Sequence, residues 1–95
     1  MQKLLNTLEF SKNMRKNIFL LSELTDVATE FCDVIQVSRR IRFFQNEIRE
    51  RMQLNPNFLI RLELRSLRHE LKKLRRSVSR KTVQVLNNQD PIKAA

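Results

Sequence analysis

Glu23, Asp26, Glu30 and Asp33 recur at spacings of three, four and three, which puts four carboxylates on one face of a helix. Such a stripe can attract a cation, but no set of histidines or cysteines accompanies it to complete a metal site. Its simpler role is electrostatic, since acidic groups favour a helix N-terminus and can neighbour a basic segment elsewhere in the fold. His69 is the sole histidine and falls on the outer face of its helical pattern, while Cys32, the sole cysteine, has no histidine near it. A surface imidazole and a half-buried thiol are expected, with no nucleophile–base–orienter set between them. The chain therefore reads as a non-enzyme with no cofactor, no metal and no small-molecule substrate.

The remaining chemistry belongs to arginine. Arg61, Arg68 and Arg75 repeat every seven residues, as do Arg42 and Arg49, with Arg76 and Arg80 beyond them. Arg39, Arg40, Arg65, Lys72 and Lys73 extend the basic region onto outer faces. A guanidinium presents a planar fork of donors suited to phosphate or carboxylate. The chain holds 19 Lys and Arg against 10 Asp and Glu, a net charge of +9. Residues 55–95 contribute ten basic and three acidic groups, so most of the excess is local. Partners of opposite charge are implied: nucleic acid, an acidic protein or an anionic surface. Only Phe43 and Phe44 interleave aromatics with this region, so phosphate contact is supported and a base-stacking platform is not.

These groups need long helices to hold them. The sequence has no glycine, which removes the cheapest access to positive φ and argues against tight hairpins, P-loops and dinucleotide-binding turns. One all-α domain is expected over residues 1–90, with a polar tail at 91–95. Asn55-Pro56-Asn57 is the clear turn: Pro56 disfavours a helical Asn55, and the Asn57 side chain can cap the next helix. A weaker break near Ser22 to Asp26 offers Thr25 as an N-cap. Helices are thus expected near 2–21, 25–54 and 58–86. The apolar stretch from Ile18 to Val37 is interrupted by four carboxylates, so no integral membrane segment is expected. A single cysteine fits a reducing compartment, cytoplasm or nucleus. Lys3, Lys12, Arg15 and Lys16 against Glu9 leave organellar import as a second address.

Heptads give the pairing. In the third helix Leu64, Leu71, Val78 and Val85 occupy a, and Ile60, Leu67, Leu74 and Lys81 occupy d. In the second, Val27, Val34, Ile41 and Ile48 occupy d, with Phe31, Ser38, Gln45 and Met52 at a. Folding the chain back at Pro56 matches Val27 with Val85, Val34 with Val78, Ile41 with Leu71 and Ile48 with Leu64. Ser38 opposite Leu74, Gln45 opposite Leu67 and Phe31 opposite Lys81 are the flaws. The expected architecture is an antiparallel helical hairpin with coiled-coil-like packing and an N-terminal helix, forming a small bundle or an oligomer. A parallel homodimer of helix three competes for the same seam, since Glu63 would meet Arg68 and Glu70 would meet Arg75 on the partner.

Apolar residues left over point outward. Ile35, Val37 and Phe44 flank the seam, and Leu62 and Val83 lie opposite it. Leu4, Leu5, Leu8, Met14, Ile18, Phe19 and Leu21 of helix one can cover one side only. Exposed strips of this kind mark interfaces. Two functions fit these features. One is a helical interaction protein that oligomerises or joins a complex and shows its arginine edge to an acidic partner; the other is a nucleic-acid-binding regulator using the same edge on phosphates.

Overall fold

A computed structural model describes residues 2–54 and 57–88, with side chains from residue 5 onward. The described residues form three α-helices and no strand: α1 (Gln2–Val27), α2 (Phe31–Leu54) and α3 (Phe58–Asn88). Asn55 and Pro56, the expected turn, and the expected tail at 91–95 lie outside the described residues. The helices pack on one another, with α3 touching both others more extensively than α1 touches α2. The array is elongated, with Cα extents of 62 × 19 × 15 Å. Its radius of gyration is 16.3 Å, where a compact chain of this length would have about 12 Å.

The first break falls later than the spacing near Ser22 to Asp26 suggests. Thr25 is no N-cap: it sits inside α1, where its hydroxyl donates to the Leu21 carbonyl at 2.7 Å, which satisfies the buried oxygen. The helix ends at Val27, tightening through the Ala28 N–H to the Thr25 carbonyl at 3.3 Å. Lys81 reaches across from α3 and donates its Nζ to the Asp26 carbonyl at 3.0 Å. An ammonium there satisfies an orphan acceptor and faces the negative end of the helix dipole. Glu30 starts α2, its carbonyl accepting from Asp33 and Val34, with the Asp33 carboxylate in the first turn. Asn57 caps α3: its Oδ1 accepts from the N–H groups of Leu59 at 2.9 Å and Ile60 at 3.3 Å.

Each helix contributes an inner stripe. On α3, Ile60, Leu64, Leu67, Leu71, Leu74, Val78 and Val85 are buried, while Lys81 in the same phase is half-buried. On α2 the buried residues are Val34, Val37, Ile41, Phe44 and Ile48. Ser38 is exposed and Gln45 only half-buried, so Val37 and Phe44 replace them in the core. The physical reason is that α2 faces two helices, and its inner stripe turns towards the space between them. Val27, expected opposite Val85, lies in the last turn of α1 and is 72% exposed; Ala28 is buried instead.

The inner stripe of α1 is Thr7, Ser11, Met14, Ile18, Leu21 and Thr25, continued by Ala28 just past its end, a regular four–three repeat of mostly small or polar side chains. Its larger apolar residues lie out of phase. Leu5, Leu8, Phe19, Leu20 and Leu24 are all exposed, so of the residues expected to cover one side Met14, Ile18 and Leu21 do and Leu5, Leu8 and Phe19 do not, the Leu4 side chain lying outside the described ones. Polar groups taken inside are satisfied, since no buried side-chain N or O among the described residues lacks a hydrogen bond. Arg51, near the end of α2, lies 3.9 Å from the centroid of the Phe10 ring, a cation–π contact that ties α2 to the start of α1.

Candidate interaction surfaces

The heptad of α3 sorts its charges onto two flanks of the buried stripe. Glu63, Glu70 and Ser77 lie on one flank and are half-buried, whereas Arg61, Arg68 and Arg75 lie on the other and are exposed. On the acidic flank Glu63 is answered within the chain. Ser11 donates its hydroxyl to Glu63, and Arg15 donates an N–H to the same carboxylate at 3.0 Å and to Ser66 Oγ at 3.2 Å. These donors, Ser11 first and then Arg15, hold the Glu63 carboxyl below the usual range. Glu63 is thus engaged by α1, and the a and d residues of α3, apart from the half-buried Lys81, are buried within this chain.

The basic flank meets no such answer. Arg61, Arg68, Lys72 and Arg75 of α3 line one groove of about 360 Å³ with Gln45, Arg49, Met52 and Gln53 of α2. No carboxylate lines it, and none of its five cations makes a hydrogen bond or ion pair with another described residue. Arg42, Arg76 and Arg80, expected on the same edge, are exposed but do not line this groove; Arg80 donates to Ser77 Oγ at 3.4 Å. At 1.5 Å per residue, Arg61 to Arg75 spans about 21 Å of helix.

A second groove, of about 460 Å³, opens between α1 and α2 where those helices touch least. Leu20, Leu24, Val27, Val37 and Phe44 give it apolar walls, with Asp33, Gln36 and Arg40 at its polar side. The two grooves flank the inner stripe of α2, Arg40 and Gln36 standing on one side of it and Gln45 and Arg49 on the other. Further apolar exposure gathers at the rod ends, where Leu54, Phe58, Leu59 and Leu62 lie near the α2–α3 connection. Val83 and Leu86 are exposed towards the end of α3. Phe43 stands outside the core, edge-on to Phe44 with ring centroids 5.9 Å apart.

The other sequence candidates separate. The break at residues 28–30 separates the carboxylates: Glu23 and Asp26 lie on α1, Glu30 in the break and Asp33 on α2, so they no longer share one helix face. No group of three or more metal-ligating side chains is found among the described residues. Cys32 is exposed, not half-buried, because the second residue of α2 lies off its inner stripe; its Sγ donates to Glu30 Oε2 at 3.4 Å. That bond to Glu30, then loss of hydration and the charge of Asp33, raise the thiol pKa, the opposite of what a nucleophile needs. His69 is exposed. No helix among the described residues is long and apolar enough to cross a membrane. Sequence reasoning missed the basic groove's glutamines and the α1 stripe. The signal for the stripe was present as a four–three repeat, hidden by the small and polar types that carry it.

Against known proteins, no family model, no curated protein and no solved structure matches the chain.

Proposed function

We infer that the chain is a non-enzymatic helical assembly protein, which oligomerises or joins a complex through coiled-coil surfaces and presents an arginine-rich edge to an acidic partner. The observation that carries this reading is the inversion of α1. That helix buries Thr7, Ser11 and Thr25 against its neighbours while Leu20, Leu24 and Val27 stay exposed along the apolar groove and Phe19 is exposed beside it. Large apolar side chains each gain about 1.5–3 kcal/mol on full burial, so leaving this face in water forfeits several such terms. A soluble monomer has little reason to do so, and a contiguous apolar strip rimmed by polar groups is the signature of an interface.

The working unit in this reading is the α2–α3 hairpin, antiparallel and coiled-coil-like, with α1 laid along it. Its support is the buried sets Val34, Ile41 and Ile48 on α2 and Leu64, Leu71 and Val78 on α3, whose numbers sum to 112 in matched pairs. Lys81 beside Asp26 and Arg51 beside Phe10 fit the same course of the chain. Sedimentation of the isolated chain tests the function. A species above the 11.4 kDa of one chain, or a poorly ordered chain that orders when a partner is added, supports it. A compact, helical monomer at high concentration refutes it.

A further inference from the structure

We propose that the groove between α2 and α3 is a binding site for the sugar–phosphate backbone of a nucleic acid duplex, read without regard to sequence. This rests on the reading of the arginine edge as the surface that meets an acidic partner, and it assigns that partner a chemical class. Three features of the groove select the class. First, its charges are free: Arg49, Arg61, Arg68, Lys72 and Arg75 line it, no carboxylate does, and none is bonded to a described residue. In contrast, Glu63 on the opposite flank of the same helix is engaged by Ser11 and Arg15. The fold therefore supplies a partner to that carboxylate and none to the five cations of the groove.

Second, the lining suits phosphate and not protein. Met52 is the single apolar side chain in it. A protein interface needs a desolvated core of aromatic or aliphatic anchors, and charge is depleted there. Phosphate oxygens need only cations and N–H donors, which arginine and the two glutamines supply. The protein-facing chemistry lies in the separate apolar groove on the other flank of α2.

Third, the groove has no aromatic residue. Single strands are held largely by stacking their bases on aromatic side chains, so a single strand would find nothing for its bases here. A duplex keeps its bases stacked internally and shows phosphates on its outside, which needs no such platform. A straight line of cations about 21 Å long can follow a backbone ridge, and a groove between two helices admits a ridge where a flat lipid surface meets only its rims.

The test uses the full chain and a fluorescent 20-base-pair DNA duplex of mixed sequence, titrated at several salt concentrations. If each of the five cations neutralises one phosphate, the slope of log affinity against log salt is about −4.5, or about 500-fold between 50 and 200 mM. Replacing Arg61→Gln, Arg68→Gln and Arg75→Gln together cuts the slope to about −1.8. An equal loss of charge outside the groove, Arg39→Gln, Arg65→Gln and Arg76→Gln, leaves most of the binding. All six side chains are exposed, so both variants keep the helical circular dichroism of the parent. Equal weakening by the two triples overturns the site, since net charge alone would then explain binding. So does absence of duplex binding at 50 mM salt, or phosphatidylserine vesicles or polyglutamate outcompeting the duplex for the groove. Sedimentation without DNA separates this inference from the assembly reading. An oligomer that ignores the duplex sinks the groove alone, and a monomer that binds it through the groove sinks the assembly reading alone.

Discussion

Glu63, Lys81 and Cys32 show how single residues fix local behaviour, and each yields a measurement. Glu63 is held ionised by Ser11 and Arg15, so its folded pKa lies below the unfolded one. Its contribution to stability is therefore present above the ordinary glutamate value of about 4.3 and is lost as pH falls through the lower folded value. Arg15 is about half exposed, which keeps the ion pair to about 0.2–1 kcal/mol. Urea midpoints of the parent and Glu63→Gln should differ at pH 7, and the gap should shrink as pH falls below the ordinary glutamate range; a gap independent of pH would contradict the assignment. Lys81 closes the C-terminal turn of α1, and Lys81→Met should cost about 0.3–1 kcal/mol. Amide exchange should rise first at residues 24–27. The Cys32 thiol, accessible but raised by Glu30, should alkylate with iodoacetamide at pH 7.5 more slowly than a free cysteine analogue, and Glu30→Gln should speed it.

At the scale of elements, cost follows the inner stripes. Leu67 and Ile48 are wholly buried, so Leu67→Ala or Ile48→Ala should destabilise the chain by about 2–5 kcal/mol, read from denaturant midpoints. Leu62→Ala, on the outer face of α3, should change stability by less than about 0.5 kcal/mol. Much of this was legible beforehand. The heptad of α3 is written in large aliphatic residues, and Asn57 sits where a cap must be. What was not legible came from a third helix. Two-helix reasoning assigned α2 a seam with Ser38 and Gln45 in it, because a pair has one contact line. A helix touching two neighbours turns a wider stripe inward, and Val37 and Phe44 fill it. The break after Val27 was misplaced because Thr25 and Asp26 look like a helix start, whereas the carbonyl of Asp26 at the end of α1 is capped by Lys81, 55 residues away in sequence. No local pattern encodes that. The basic groove was half legible: periodicity found Arg49, Arg61, Arg68 and Arg75, while Arg42 and the residues beyond Arg75 fell outside it.

For the whole molecule, the arrangement divides labour between two grooves along one rod. The apolar groove between α1 and α2 is suited to burying a helix, and the basic groove between α2 and α3 is suited to a polyanion. Association through the first would multiply copies of the second, which strengthens binding to an extended anion without new contacts at either site. The central claim is that the exposed face of α1 exists to be covered. Sedimentation equilibrium over a hundredfold range of concentration tests it most directly, comparing the parent with the variant Leu20→Gln, Leu24→Gln, Val27→Gln. The parent should be heavier than 11.4 kDa, and the variant should be helical yet sediment as a single chain. A parent that stays a compact monomer throughout, indistinguishable from the variant, would contradict it.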